Sequence, residues 1–198
     1  MQQTDWSGLG DAELIAFIKA GKLGAFTALV DRHQRSLINF FYHLGWDRQV
    51  AEDCAQEVFL RLHKHLATYE PEAKFTTFLY RVARNLWIDR LRSAAVHGKV
   101  VSLEATGGPG EERTLRERVS SGGPSPVDIL SRRETEESLK RSIDLLPEEQ
   151  KTVLVLSEMQ GLKYQDIAAI LEIPIGTVKS RMHTAMEKLK EMMAGEEL

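Results

Sequence analysis

Apolar residues recur along this chain at three- and four-residue intervals, not in the alternation of a half-buried strand. Phe26, Leu29, Val30, His33, Leu37, Phe40, Phe41 and Leu44 define an amphipathic helix over about 24–44, ended by Gly45. Before it, Asp11 caps a short helix, Ala12–Ala20, stopped by Gly21. Asp47 caps a third helix over about 48–68, whose inward face is Ala51, Ala55, Val58 and Leu62. Glu70-Pro71 breaks it, because a residue preceding proline avoids the α region. Thr76 or Thr77 begins a fourth helix that runs to about Ser93.

Residues 102–126 have no apolar periodicity, and Gly, Pro and Ser fill 12 of the 25 positions. Such a composition makes a flexible linker. The chain therefore divides into an N-terminal domain over 8–97, a linker over 98–128 and a C-terminal domain over 129–194. The last part holds a charged lead-in helix over about 127–144, then a helix started by Pro147, lined by Val153, Leu154 and Ser157 and closed by Gly161. Tyr164–Leu171, a turn at Glu172-Ile173-Pro174, and a final helix from about Gly176 to Met193 complete it. No Val/Ile/Thr-rich segment with period two separates these elements, so the expected fold is all-α.

Short helix, tight turn and second helix make a helix-turn-helix unit. Val178, Met182, Ala185 and Leu189 form a buried stripe on the last helix, leaving Thr177, Ser180, Arg181, His183, Thr184 and Lys188 off it. Such side chains reach phosphates and base edges in a major groove, although a plain hairpin with a solvated face has the same spacing. The fourth helix, KFTTFLYRVARNLWIDRLR, opposes Leu79, Val82, Ala83 and Leu86 to Arg81, Arg84, Asn85, Ile88 and Arg92, with Phe75, Phe78, Tyr80 and Trp87 interleaved. Cations neutralise phosphates and aromatic faces stack unpaired bases, which points to single-stranded or opened DNA. The alternative is a set of core aromatics beside arginines that extend to solvent. On the third helix, Glu52, Asp53, Gln56, Glu57, Leu60 and Lys64 form an acidic, amide-rich face next to Phe59, suited to a basic helical partner or simply to water. The carboxylates there diverge and no convergent His joins them, so neither a metal site nor acid–base catalysis is expected.

Composition changes this picture in one respect. The 198 residues carry a formal net charge of −3, which excludes a uniformly basic nucleic-acid binder. The charge is unevenly placed: residues 74–99 sum to +5 and 174–190 to +3, against an acidic remainder. The single cysteine, Cys54, excludes an internal disulfide and fits a reducing compartment as a small buried residue. No apolar run is long enough to span a bilayer, and the first residues do not form an export signal, so a cytoplasmic protein is expected.

Three stretches, AEDCAQEVFLRLHKHL (51–66), FTTFLYRVARNLWIDRLR (75–92) and LPEEQKTVLVLSEMQGLKYQDIAAILEIPIGTVKSRMHTAMEKL (146–189), together resemble the bacterial sigma-70 family, specifically its small extracytoplasmic-function (ECF) group. The resemblance implies a promoter-specificity subunit, not an enzyme, with no cofactor. It implies that Asp53, Gln56, Glu57, Phe59 and Leu60 meet the β′ clamp helices of core RNA polymerase, with the β flap as a further contact of the subunit. It implies that Phe75, Thr76, Tyr80, Arg81, Arg84, Asn85 and Arg92 hold −10 DNA, with a flipped base in the Pro71–Thr77 loop. Thr177, Lys179, Ser180, Arg181, His183 and Lys188 would lie at the −35 groove, and an anti-sigma factor is an expected partner. The chain departs from the family at Cys54, where Leu is common, and in a long Gly-rich linker.

Overall fold

The computed structural model describes residues 5–66, 74–96 and 126–195, with side chains described from residue 135 onward in the last of these. The expected break at Glu70-Pro71 and nearly all of the expected linker fall outside those residues. The described chain is helical throughout: α1 (Asp11–Lys19), α2 (Leu23–Gly45), α3 (Arg48–His65), α4 (Phe75–Val96), α5 (Pro126–Asp144), α6 (Glu148–Leu154), α7 (Tyr164–Leu171) and α8 (Ile175–Gly195). α1–α4 form one bundle, in which α2 packs on α1 and α3, and α4 closes over α3. In the second, α8 packs on α5, α6 and α7.

Asp11 does not cap α1. Gly10 stands at the N-cap, and the Glu13 carboxylate reaches back to the Gly10 N–H at 2.8 Å. Asp11 is instead used across the bundle, accepting from Arg32 at 2.7 Å and lying 3.0 Å from His33 Nε2. Arg32 also donates to the Leu9 carbonyl at 2.6 Å, so this cluster pins α1 to the flank of α2. Asp47 does cap α3, accepting the Val50 N–H at 3.0 Å.

The stripe predicted on α2 is buried at Leu29, His33, Leu37, Phe40, Phe41 and Leu44, while Phe26 and Val30 are only half-buried. Gly45 is the last residue of the helix, as expected, but the left-handed capping position falls on Trp46, at φ 53°. Gly45 is needed for another reason. A Cβ there would lie 2.6 Å from the ring of Trp87, which crosses from α4. Phe40, Phe41, Tyr80 and Trp87 form the aromatic centre of the bundle, with ring centroids 5.3–6.1 Å apart along the Phe40–Phe41, Phe40–Tyr80 and Phe41–Trp87 contacts.

In the second bundle, α6 widens into a π-helical turn, Val155–Met159, which the apolar spacing does not predict. Gly161 at φ 65° then ends it. α7 has the predicted bounds and is closed by Glu172 at φ 56°, with the Ile173 N–H donating to Ala168 O at 3.1 Å. The Pro174 carbonyl accepts from Thr177 and Val178 and starts α8. Val178, Met182, Ala185 and Leu189 are buried as the spacing required.

A Gly45→Ala substitution should cost about 1–3 kcal/mol through overpacking against Trp87, more than the roughly 1 kcal/mol that alanine gains in a helix. A lowered midpoint in urea unfolding checks this.

Candidate nucleic-acid interface

α8 presents its polar face because its apolar stripe is taken up by the core. Lys179, Ser180 and His183 are exposed, with Thr177 and Lys188 half-buried on the flanks. Ser180 bonds back to the Thr177 carbonyl at 3.0 Å, and His183 lies 3.4 Å from Glu187 one turn on. Arg181 is turned aside, paired with Glu149 at the start of α6. Nothing lies within 4 Å of a Cβ built at Gly176, so the approach to the first turn of α8 is open.

α4 divides differently from the expectation. Arg84 is half-buried and Asn85 and Arg92 are exposed, with Arg84 donating to Asn85 at 3.2 Å. Thr76 is half-buried at the start of the helix. Phe75 is corrected: its ring packs on His33 at 5.3 Å and is 5 % exposed, so it is a core residue and offers no stacking face. Of the expected base-accepting loop, Pro71–Thr77, only the part from Lys74 on is described. Tyr80 and Arg81 are engaged by the second bundle. Tyr80 donates to Gln160 at 2.8 Å, and burial pushes its phenol above the usual range. Arg81 donates to the Ala169 carbonyl at 3.3 Å and lies 3.5 Å from Glu172. Lys74 meets Asp166 at 3.1 Å, and the Trp87 indole donates to Glu148 at 2.6 Å.

α3 is a ridge between two clefts. On one side a groove of about 640 Å³ is lined by Gln56, Phe59 and Leu60 together with Phe26, Val30 and Ile38 of α2. On the other, a polar cleft of about 450 Å³ takes Asp53, Cys54 and Glu57 with Arg61 and Arg90. The five residues expected on one face are thus shared between two. Leu60 is 59 % exposed, whereas Phe59 is 8 % exposed and forms the floor of the groove, not a free contact. The α2 wall was not predicted as part of this site. Its signal was the second apolar line, Phe26-Val30, displaced from the stripe that fills the core. Cys54 is buried, which raises its thiol pKa and keeps it protonated, as suits a packing residue. Among the described residues no group of three or more His, Cys, Asp or Glu is placed to hold a metal ion, and no helix is long and apolar enough to cross a membrane.

These features define a helical protein with a helix-turn-helix and a second basic helix. Residues 29–96 match the family model for sigma-70 region 2, and residues 136–189 that for sigma-70 region 4. The chain is 32 % identical to the ECF RNA polymerase sigma factor SigW of Bacillus subtilis, over 89 % of this chain and 92 % of that one. It is 30 % identical to the RNA polymerase sigma-H factor of Pseudomonas aeruginosa, over 92 % and 93 %. Among solved structures, CnrH in complex with the cytosolic domain of CnrY superposes with a TM-score of 0.66 at 21 % identity, covering 93 % of this chain and 97 % of that one. The sigma factor RpoE of Bartonella quintana, in complex with the anti-sigma factor NepR, gives 0.62 at 21 % identity, covering 85 % and 96 %. The chain belongs to the sigma-70 family, in its ECF group, whose members direct transcription initiation by RNA polymerase.

Burial raises the Glu148 carboxyl pKa, with Asp144 adding to the effect and Lys151 and the Trp87 N–H opposing it. A carboxyl whose folded pKa lies above its unfolded value, about 4.5, favours folding at low pH, and that contribution is lost as pH rises through the folded value. Glu148→Gln should therefore unfold like the native protein at about pH 4 and gain on it towards about pH 7, read from paired thermal melts.

Proposed function

We propose that the two basic islands divide promoter recognition between them. Lys179, Ser180 and His183 of α8, flanked by Thr177, Arg181 and Lys188, meet the −35 duplex in the major groove. Arg84, Asn85 and Arg92 of α4, with Thr76 and Arg81, hold the opened −10 strand, while Tyr80, 4 % exposed against Phe40, serves the core beneath them. The chain adds no catalytic group; nucleotide transfer belongs to the polymerase, beside which it works in the cytoplasm. The observation that carries this is the solvent-facing polar strip of α8, set by a fully occupied apolar stripe, in a chain of this family.

The α3 ridge supports the polymerase contact. An exposed Leu60 beside Gln56, with Asp53 and Glu57 on the opposite slope, suits a pair of basic helices that straddle it, the chemistry of the β′ clamp. Gln49 and Arg61 bond Asp53 and Glu57 at 3.0 and 2.9 Å, so the two carboxylates are held in place before a partner arrives. An anti-sigma factor is a further partner in this proposal, supported by the resemblance in fold to RpoE, which was solved with NepR.

The experiment is transcription by core polymerase reconstituted with this chain, the transcripts being sequenced to define the promoter. Arg84→Ala should reduce open-complex yield about tenfold while core binding is unchanged, and should lower the salt slope of DNA binding by about one. Lys179→Ala should weaken holoenzyme binding to duplex carrying the −35 element, by about fivefold or more if it reads a base. A Leu60→Asp chain should fail in core association while its DNA contacts persist. Unaltered initiation by the Arg84 variant would remove α4 from the −10 role.

A further inference from the structure

The polar residues in the first turns of α8 fall into two sets. Taking Val178 of the buried stripe as zero and about 100° per residue, Lys179, His183 and Ser180 lie at about 100–200°, away from the core. Arg181 lies at about 300°, beside the stripe, on the flank that α6 covers. Its guanidinium donates to the Glu149 carboxylate in the first turn of α6, 32 residues earlier in the chain. The Arg181 side chain is 24 % exposed and that of Glu149 70 %. The arginine is thus laid against the bundle, and the glutamate reaches over from the surface to hold it.

This link supplies what the apolar packing lacks. Val178, Met182, Ala185 and Leu189 seat α8 by burial, which is non-directional and fixes the roll of a helix about its own axis only loosely. A charge-assisted bond to a planar guanidinium has a set direction. The Arg181–Glu149 bond stands one turn from Val178, in the same stretch of α8 as Lys179, Ser180 and His183. Its far end is itself fixed: Lys151, two residues beyond Glu149, is buried and donates to Asp144 of α5 at 2.8 Å. A roll of about 20° moves a side-chain tip about 5–6 Å from the helix axis by about 2 Å. Such a shift breaks a hydrogen bond to a base edge.

We infer that Glu149, acting through Arg181, is a positioning residue for recognition of the −35 element: the pair sets the roll of α8 on α6, and Arg181 does not itself read the duplex. The inference rests on the −35 role proposed for α8 and makes Arg181 a support of the polar strip, not a member of it. A carboxylate on another helix, away from the strip, thereby determines how well the strip discriminates. Charge alone predicts the opposite. Removing an acid near DNA and releasing an arginine should then tighten binding, whereas loss of a positioning bond weakens it selectively on the correct sequence.

The test uses holoenzyme reconstituted with the full chain and two fluorescein-labelled duplexes, its promoter and the same promoter with the −35 element scrambled. The ratio of their dissociation constants reads discrimination. Glu149→Gln should lower that ratio roughly twofold to fivefold, the range of a partly exposed ion pair. Arg181→Ala should lower it by a similar factor while leaving the salt slope of promoter binding unchanged; loss of a phosphate contact would reduce the slope by about 0.9. The exchanged pair, Glu149→Arg/Arg181→Glu, should restore the ratio to within about twofold of native, because the bond is remade with its ends reversed. Tightening of both duplexes by Glu149→Gln, a slope lowered by about one in Arg181→Ala, or an exchanged pair no better than Arg181→Ala would overturn the inference. Lys179→Ala separates it from the reading on which it rests. If Lys179→Ala leaves the ratio native, the −35 role of α8 fails; if it lowers the ratio and Glu149→Gln does not, only the positioning role fails.

Discussion

The indole of Trp87 is the point on which both bundles depend. Its ring fills the notch that Gly45 leaves in α2 and rests on Phe41, so the α2–α4 packing closes around it. A buried indole N–H requires an acceptor, and the one it has is Glu148, at the first turn of α6 in the other bundle. One side chain thus completes the core of the first bundle and joins it to the second. The carboxylate that serves it is desolvated in doing so, which is why its pKa rises although Lys151 lies nearby.

Around that point the seam is built from contacts of unequal strength. The ion pairs of Lys74 and Arg81 are each worth roughly 0–1 kcal/mol, as exposed pairs generally are. Lys140 adds a cation–π contact to Trp46, 5.3 Å from the ring centroid. The buried Leu, Ile and Phe side chains on either side of the seam belong to one continuous hydrophobic cluster that runs from Leu14 to Leu189.

Much of the fold could be read from the sequence because it is local. The cap at Asp47, the turn at Glu172-Ile173-Pro174 and the stripe Val178-Met182-Ala185-Leu189 depend on neighbours within a few residues, and the structure has them where the pattern put them. What could not be read depends on partners far along the chain. Asp11 has the residue type of a cap, yet its carboxylate is taken by Arg32 and His33, and Gly45 is determined by a ring 42 positions later. The candidate site divides in the same way. The exposed strip of α8 follows from periodicity, whereas the burial of Phe75, the cover on Tyr80 and Arg81, and the two clefts beside α3 arise only when helices are brought together.

The notch at Gly45 also bears on how this chain can vary over evolutionary time. Any side chain at 45 displaces the ring at 87, and a smaller residue at 87 with no N–H would leave the carboxylate of Glu148 half-buried without its donor. Positions 45, 87 and 148 therefore form a chain of dependence that crosses from one domain to the other. A lineage that loses the glycine is under pressure to lose the tryptophan, and then the glutamate. Relatives that keep all three should keep the domains' contact, and those that have replaced them should have domains free to diverge in arrangement.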